Sequence, residues 1–344
     1  MNTSNLAPGT LIISLDLELY WGMRDVVSLD SYRQNLSGVR KAIAAMLQLF
    51  KEYEIHATWA TVGFLYYPGF ELLHQNLPEK LPQYRQVDLS PYQYISSSTI
   101  APAPELHFCP EIIHAIAQHP GQEIATHTFS HYYCLEAGQT QAEFAADLQA
   151  AITVAQEAGI DTKSLVFPRN QYNQAYLQTI AECGIDCYRG NQPHPIHNEE
   201  NGDGDRPRKR LLRLIDAYLN FTGHNTYSRS PLKSEYPVNI PASHFLRPYS
   251  PKLKYLDGLR LRRITKSLRH AANRGEIYHL WWHPHNFGMN LTENIRFLEQ
   301  ILQSYQKLKE QHKMQSLSMR EVAELCWADN KQDSKQISEL RSPK

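Results

Sequence analysis

The chain has 344 residues, 42 % of them hydrophobic and 20 % charged, with 35 Lys and Arg against 35 Asp and Glu. That length accommodates one large α/β barrel or two ordinary domains, and the balanced charge gives no reason to expect nucleic acid or an anionic membrane as partner. No run reaches the ~20 apolar residues of a spanning helix. The polar opening from Met1 to Gly9 lacks the basic and apolar regions of a secretion signal, so a cytoplasmic location is expected. Cys109, Cys134, Cys183, Cys187 and Cys326 are odd in number and irregularly spaced, which reads as reduced structural thiols.

Along the chain, residues 10–15 form an apolar, β-rich run closed by Asp16 and Glu18, which reads as a buried strand carrying carboxylates at its C-terminal end. Val39, Ile43, Met46, Leu47 and Phe50 share a helical face over 39–53, and residues 57–65 read as a second strand. From 66 to about 110 the chain is rich in Pro, Tyr and Ser without a period, a stretch long enough to suggest a lid or a packed cap. A short helix at 111–118 and a strand at 123–127 follow. Next come an amphipathic helix at 140–158 ended by Gly159, a strand at 165–167 and a helix at 174–183 stopped by Gly184. Residues 187–189 look like the start of a strand, and 194–210 breaks into Pro, Asn, Gly, Asp and basic residues, as a mobile excursion would. The pattern then predicts a helix at 260–274, a strand at 277–282, and helices at 292–313 and 319–326, with a disordered polar tail at 329–344. Strands alternating with helices, with polar chemistry at strand C-terminal ends, imply a parallel β/α barrel whose site opens on that face.

The most informative segment is Ile124-Ala125-Thr126-His127-Thr128-Phe129-Ser130-His131, with two imidazoles four residues apart where a strand enters a polar turn. Two histidines and one carboxylate are a familiar set for a catalytic divalent metal, because three protein ligands leave a position open. Asp16 and Glu18 supply candidate carboxylates, and Thr128, Ser130 and Tyr132 supply groups that could orient the imidazoles. In Leu280-Trp281-Trp282-His283-Pro284-His285, alternation puts His283 at the strand end, where an imidazole suits general acid work; His285 is the second candidate. Arg169, closing the 165–167 strand, could hold a catalytic carboxylate through a bidentate contact, and Asp216 could orient a histidine.

Taken in order, these segments resemble the NodB-homology polysaccharide deacetylases, carbohydrate esterase family 4 in its broad sense. His127 and His131 match the family's His-x-x-x-His, Leu280 to His283 its late Leu-x-x-His, and Asp16-Leu17-Glu18 an Asp-x-Glu variant of its first acidic motif. Phe167-Pro168-Arg169-Asn170 is similar to its Arg-Pro motif, with the arginine one place later. The resemblance implies a distorted (β/α)7 barrel of the glycoside hydrolase and deacetylase type. A single domain over 1–328 is expected, with insertions at about 66–110 and 194–260. The resemblance also implies a linear amide deacetylase with one divalent ion, zinc in the first instance, on Glu18, His127 and His131, with Asp16 as base and His283 as acid. The implied partner is an N-acylated sugar or glycan. A non-catalytic glycan-binding barrel, and a glycosidase with a second carboxylate ~5–9 Å from the first, are the alternatives.

Overall fold

In the computed structural model, which describes residues 7–96, 103–197 and 207–328, one parallel sheet curls around a polar centre. Its strands are β1 (Thr10–Leu17), β2 (Ala57–Thr61), β3 (Gln122–Thr126), β4 (Ser164–Val166), β5 (Cys187–Gly190), β6 (Val238–Pro241), β7 (His244–Phe245), β8 (Ile277–Trp282) and β9 (Gln315–Ser316). The order is β6-β5-β4-β3-β2-β1-β8-β7, and the short β9 pairs with the start of β1. β6 and β7 are two halves of one bent run. The Ala242 N–H donates to the Gly190 carbonyl on the β5 side, and the Ser243 N–H donates to the His279 carbonyl on the β8 side. That run joins the two ends of the sheet, and counting it once gives the seven strand positions of the expected barrel. It lies inside the stretch 194–260 that the sequence suggested was an insertion. β6 spans four residues and β7 two, too short to show an alternating pattern.

β1 is the axis of the design. Leu11, Ile13, Leu15 and Leu17 face outward into the large apolar layer beneath the surrounding helices, while Ile12 belongs to a separate inner cluster with Ala60, Val166, Cys187, Val238, Ile240 and Ile277. Because side chains alternate along a strand, Ser14 and Asp16 follow Ile12 inward. β8 behaves likewise, with Tyr278, Leu280 and Trp282 outward. The barrel is apolar at its lower end and polar at its upper end, where the strands finish.

The helix Leu29–Glu52 begins ten residues earlier than its apolar period suggested, because the Ser28 side chain accepts the Ser31 N–H and caps a polar first turn. Thr140 and Glu143 form a reciprocal capping box at the start of Gln141–Glu157. β2 ends at Thr61 rather than 65, and the chain turns into a 3-10 segment at Gly63–Tyr66. The 66–110 stretch is packed structure over its described residues: Tyr84 and Tyr92 are buried, and the Tyr133 N–H donates to the Tyr84 hydroxyl. Part of the expected excursion at 194–210, and the tail at 329–344, lie outside the described residues. The five cysteines form no disulfide, and no described helix is long and apolar enough to cross a membrane.

Candidate metal centre and active site

Strand register assembles the site. Leu15 on β1 pairs with Trp282 on β8, which brings the next residues, Asp16 and His283, level with each other. On the other side Leu17 pairs with Thr61 and Thr61 with Thr126, so the turn bearing His127 and His131 leaves the barrel beside Glu18. Glu18, His127 and His131 can each present one ligand atom within 4.8 Å of the others, and all three are buried. The Glu18 Oε2 atom lies 3.1 Å from His131 Nε2 and 3.4 Å from His127 Nε2.

Orientation of the imidazoles suits a cation. His127 Nδ1 donates to the Val166 carbonyl at 2.8 Å, which turns Nε2 and its lone pair toward Glu18; that Nε2 is buried without a hydrogen-bond partner. Burial pushes the His131 pKa down to about 4, leaving a neutral ring with a lone pair to give. For Glu18 burial acts upward, but the imidazoles of His283, His127 and His131 outweigh it and hold the carboxyl well below its usual range. A carboxylate and two imidazoles, one with an unsatisfied nitrogen aimed inward, fit a divalent ion.

The turn that carries the histidines is held from below. Thr128 and His131 have φ of 63° and 61°, a conformation that costs a side-chain-bearing residue free energy and persists only when its surroundings enforce it. Asp147, fully buried on the helix Gln141–Glu157, accepts the Phe129 N–H at 2.7 Å, the Ser130 N–H at 3.4 Å and the Ser130 hydroxyl. Sequence reasoning missed this residue. Its signal was an acid on the apolar face of a helix, between Phe144, Leu148 and Ala151. Gly22 is the second omission: a Cβ there would stand 2.1 Å from the Glu18 carboxyl carbon, so only glycine leaves that carboxylate its place.

Asp16 is clamped. Arg189 Nη1 and Nη2 donate to its two oxygens at 2.7 and 2.8 Å, and the same guanidinium donates to Ser14 Oγ and Asn170 Oδ1, each at 3.0 Å. It also lies 4.3 Å from the centre of the Trp281 ring. Burial would raise the Asp16 pKa, but Arg189, with lesser help from His127 and His283, leaves it below the ordinary carboxylate value. The arginine expected on this carboxylate was Arg169, and that expectation is corrected. Arg169 sits at φ 55° in the turn after β4, which swings its guanidinium away onto Asp25 and over the Tyr133 ring. Arg189 was within reach of sequence reasoning, since Cys187 faces inward and alternation sends Arg189 the same way.

His283 and His285 stack with ring centres 5.1 Å apart. His283 Nε2 lies 3.5 Å from Glu18 Oε1 and 3.8 Å from Asp16 Oδ2, and its side chain is 23 % exposed. His285 is 1 % exposed, its Nε2 is 3.9 Å from Glu18, and burial and His283 push its pKa down to about 3. Of the two, His283 combines access with proximity to both acids. Asp216 orients no histidine. It pairs with Arg263 at 3.3 Å and accepts the N–H groups of Phe221 and Thr222.

Residues 37–188 match the polysaccharide deacetylase family model, a span that contains His127, His131 and Arg169 but not Asp16, Glu18, Arg189 or His283. No curated protein sequence matches the chain. Among solved structures it is similar to a protein described as a polysaccharide deacetylase from Mycobacterium smegmatis, at 14 % identity and TM-score 0.58 over 94 % of each chain. A second, from Pseudomonas aeruginosa PAO1 and described in the same terms, aligns at 11 % identity and TM-score 0.53 over 92 % of this chain and 90 % of its own. A 4-alpha-glucanotransferase from Thermococcus litoralis aligns at 12 % identity and TM-score 0.51 over 92 % of this chain and 40 % of its own. At such identities these likenesses show the barrel and nothing finer. The sequence match over residues 37–188 and the shared barrel make the chain similar to polysaccharide deacetylases.

Proposed function

We propose that this protein is a metal-dependent hydrolase that removes an acetyl or formyl group from the nitrogen of an amino sugar or polysaccharide precursor, acting in the cytoplasm. The observation that carries this reading is the convergence of Glu18, His127 and His131, with the unpartnered His127 Nε2 aimed into the group, beside an arginine-clamped Asp16. Glu18, His127 and His131 would hold the ion, zinc by preference. The ion supplies Lewis acidity for the amide carbonyl and lowers the pKa of water toward neutrality.

The remaining work falls to the chain's own side chains. Asp16, kept ionised by Arg189, is the base that takes a proton from the attacking water. The bidentate contact fixes the carboxylate plane, so its free lone pairs stay aimed at the mouth of the barrel. His283, half-buried and within 4 Å of both acids, gives its proton to the departing amine as the carbon–nitrogen bond breaks. Arg169, Asp25 and Tyr133 form the rim beside His131, where the Tyr133 ring is 5.3 Å from that imidazole. They are placed to bind substrate rather than to transfer a proton.

The test uses chitooligosaccharides and a formylated amino sugar as probes, with acetate or formate release as readout. Release that is abolished by a chelator, restored by zinc and absent in Asp16→Asn supports the proposal. Release that persists in the chelated protein, or in Asp16→Asn, overturns it.

A further inference from the structure

Beneath Asp16 lies a chain of buried polar groups that the proposed reaction does not use directly. Arg189 donates through both terminal nitrogens twice, Nη1 to Asp16 and Ser14 and Nη2 to Asp16 and Asn170. Ser14 Oγ lies 2.8 Å from His279 Nε2, and His279 Nδ1 lies 3.2 Å from the Pro241 carbonyl at the end of β6. Ser14 and His279 are 0 % exposed and Arg189 is 2 % exposed. Strand alternation sets up the line: Ser14 precedes Asp16 on the inward face of β1, and His279 lies on the inward face of β8.

The two ends of this chain fix the direction of every bond in it. A guanidinium only donates and a carbonyl only accepts. Ser14 Oγ therefore accepts from Arg189 Nη1 and has its own hydrogen to give, which goes to His279 Nε2. That nitrogen must be bare, so the ring hydrogen sits on Nδ1, where it meets the Pro241 carbonyl. A second ring hydrogen has no place. His279 Nε2 and Arg189 would then both donate to the Ser14 oxygen, and the hydroxyl would lose its acceptor. Burial, with the Arg189 charge beside it, pushes the His279 pKa down to about 3. The backbone of His279 is held as well. Its N–H donates to Ser243 Oγ and its carbonyl accepts the Ser243 N–H, at the bend between β6 and β7.

We propose that Ser14 and His279 are positioning residues for Asp16: His279, neutral and carrying its hydrogen on Nδ1, turns a lone pair of the Ser14 hydroxyl onto Arg189 and so fixes the guanidinium that clamps the carboxylate. Asn170 holds the opposite corner of that guanidinium. Without Ser14 the group can pivot about Asn170 and carry the plane of the Asp16 carboxylate with it. The part Asp16 plays as base rests on the function proposed above; the order of donors and acceptors does not.

Two measurements on the full chain test this. The first is nitrogen NMR of the histidine rings in the native protein, with His279→Gln identifying the signals. A protonated Nδ1 and a bare Nε2 are expected; a hydrogen on Nε2 overturns the inference even in a protein that cleaves every probe. The second compares acetate or formate release in Ser14→Ala, His279→Phe and His279→Gln. Ser14→Ala and His279→Phe should each lower kcat roughly 10–100-fold, the scale of a small misplacement of a reacting group, with KM and bound metal unchanged. The pair Ser14→Ala/His279→Phe should be no slower than the slower single variant, because the contacts act in series. His279→Gln, whose amide oxygen can accept the Ser14 hydroxyl, should recover most of the rate. An unchanged kcat in Ser14→Ala, losses that multiply in the pair, or a His279→Gln as slow as His279→Phe overturns the inference. If His279→Phe does not fold, Ser14→Ala and the ring tautomer carry the test. A native chain that releases neither acid refutes the proposed function, and the tautomer still decides the relay.

Discussion

Replacing Arg189 with methionine removes the guanidinium from Asp16 and keeps much of the side-chain volume. Asp16 is 3 % exposed, so its charge would be left inside the barrel without its main partner. Breaking a buried ion pair from one side costs about 3–5 kcal/mol. Part of that cost is met by protonation: with Arg189 gone, burial dominates and the Asp16 pKa moves from below its ordinary value to above it. Two consequences follow in opposite regions of pH. The acidic limb of kcat/KM, which requires the Asp16 carboxylate, should move upward. Stability should respond the other way. In the native protein Asp16 has a depressed pKa, and its stabilisation is lost as pH falls through that value. In the variant the folded pKa exceeds the unfolded one, so stability is lost as pH rises between the two. The deficit in thermal midpoint should therefore be small near pH 4 and grow toward neutrality. The assay pairs a pH–rate profile at equal metal content with thermal melts across the same range. An acidic limb that stays in place, together with a stability deficit independent of pH, would refute the reasoning and leave Arg189 as a packing partner of Trp281.

Asp147→Ala leaves the buried Phe129 and Ser130 N–H groups without an acceptor. It should cost roughly 2–4 kcal/mol by urea unfolding and weaken metal affinity about 10–100-fold; an unchanged metal titration would disconnect Asp147 from the site. Gly22→Ala forces the Glu18 carboxylate aside, so elemental analysis should show metal lost while the thermal midpoint changes little. His283→Ala should slow cleavage of an amide with a poor leaving amine by about 10²–10⁴-fold and an activated ester far less. Equal losses on both substrates would give His283 a structural role. A larger defect in His285→Ala would move the acid two residues along.

The parts of the site visible in the sequence are those whose chemistry is local. A strand end with two carboxylates and a turn with two histidines can be recognised because ligand spacing and strand alternation are short-range properties. What escaped depends on contacts between distant segments. Alternation along β5 sends Arg189 inward, but its meeting with Asp16 spans 173 positions, while Arg169, in the turn after β4, goes to Asp25 instead. Asp147 looks like an ordinary helix residue until the turn it supports is folded against it. Gly22 matters only because Glu18 folds back over it. In the fold, β1 and β8 are legible from long apolar runs, whereas the bent run of β6 and β7 is not. Its two pieces are short, and pairing with β5 and β8, rather than its own pattern, makes it a strand.

The central claim is that Glu18, His127 and His131 hold one catalytic divalent ion next to Asp16. An anomalous difference map, recorded at the zinc edge from crystals grown with zinc and without chelator, tests it most directly. The account predicts a single strong peak bounded by Glu18 Oε2 and one nitrogen of each histidine, at about 2.0–2.3 Å from each. A peak held by other residues, or none at this position in crystals that bind zinc elsewhere, would contradict it.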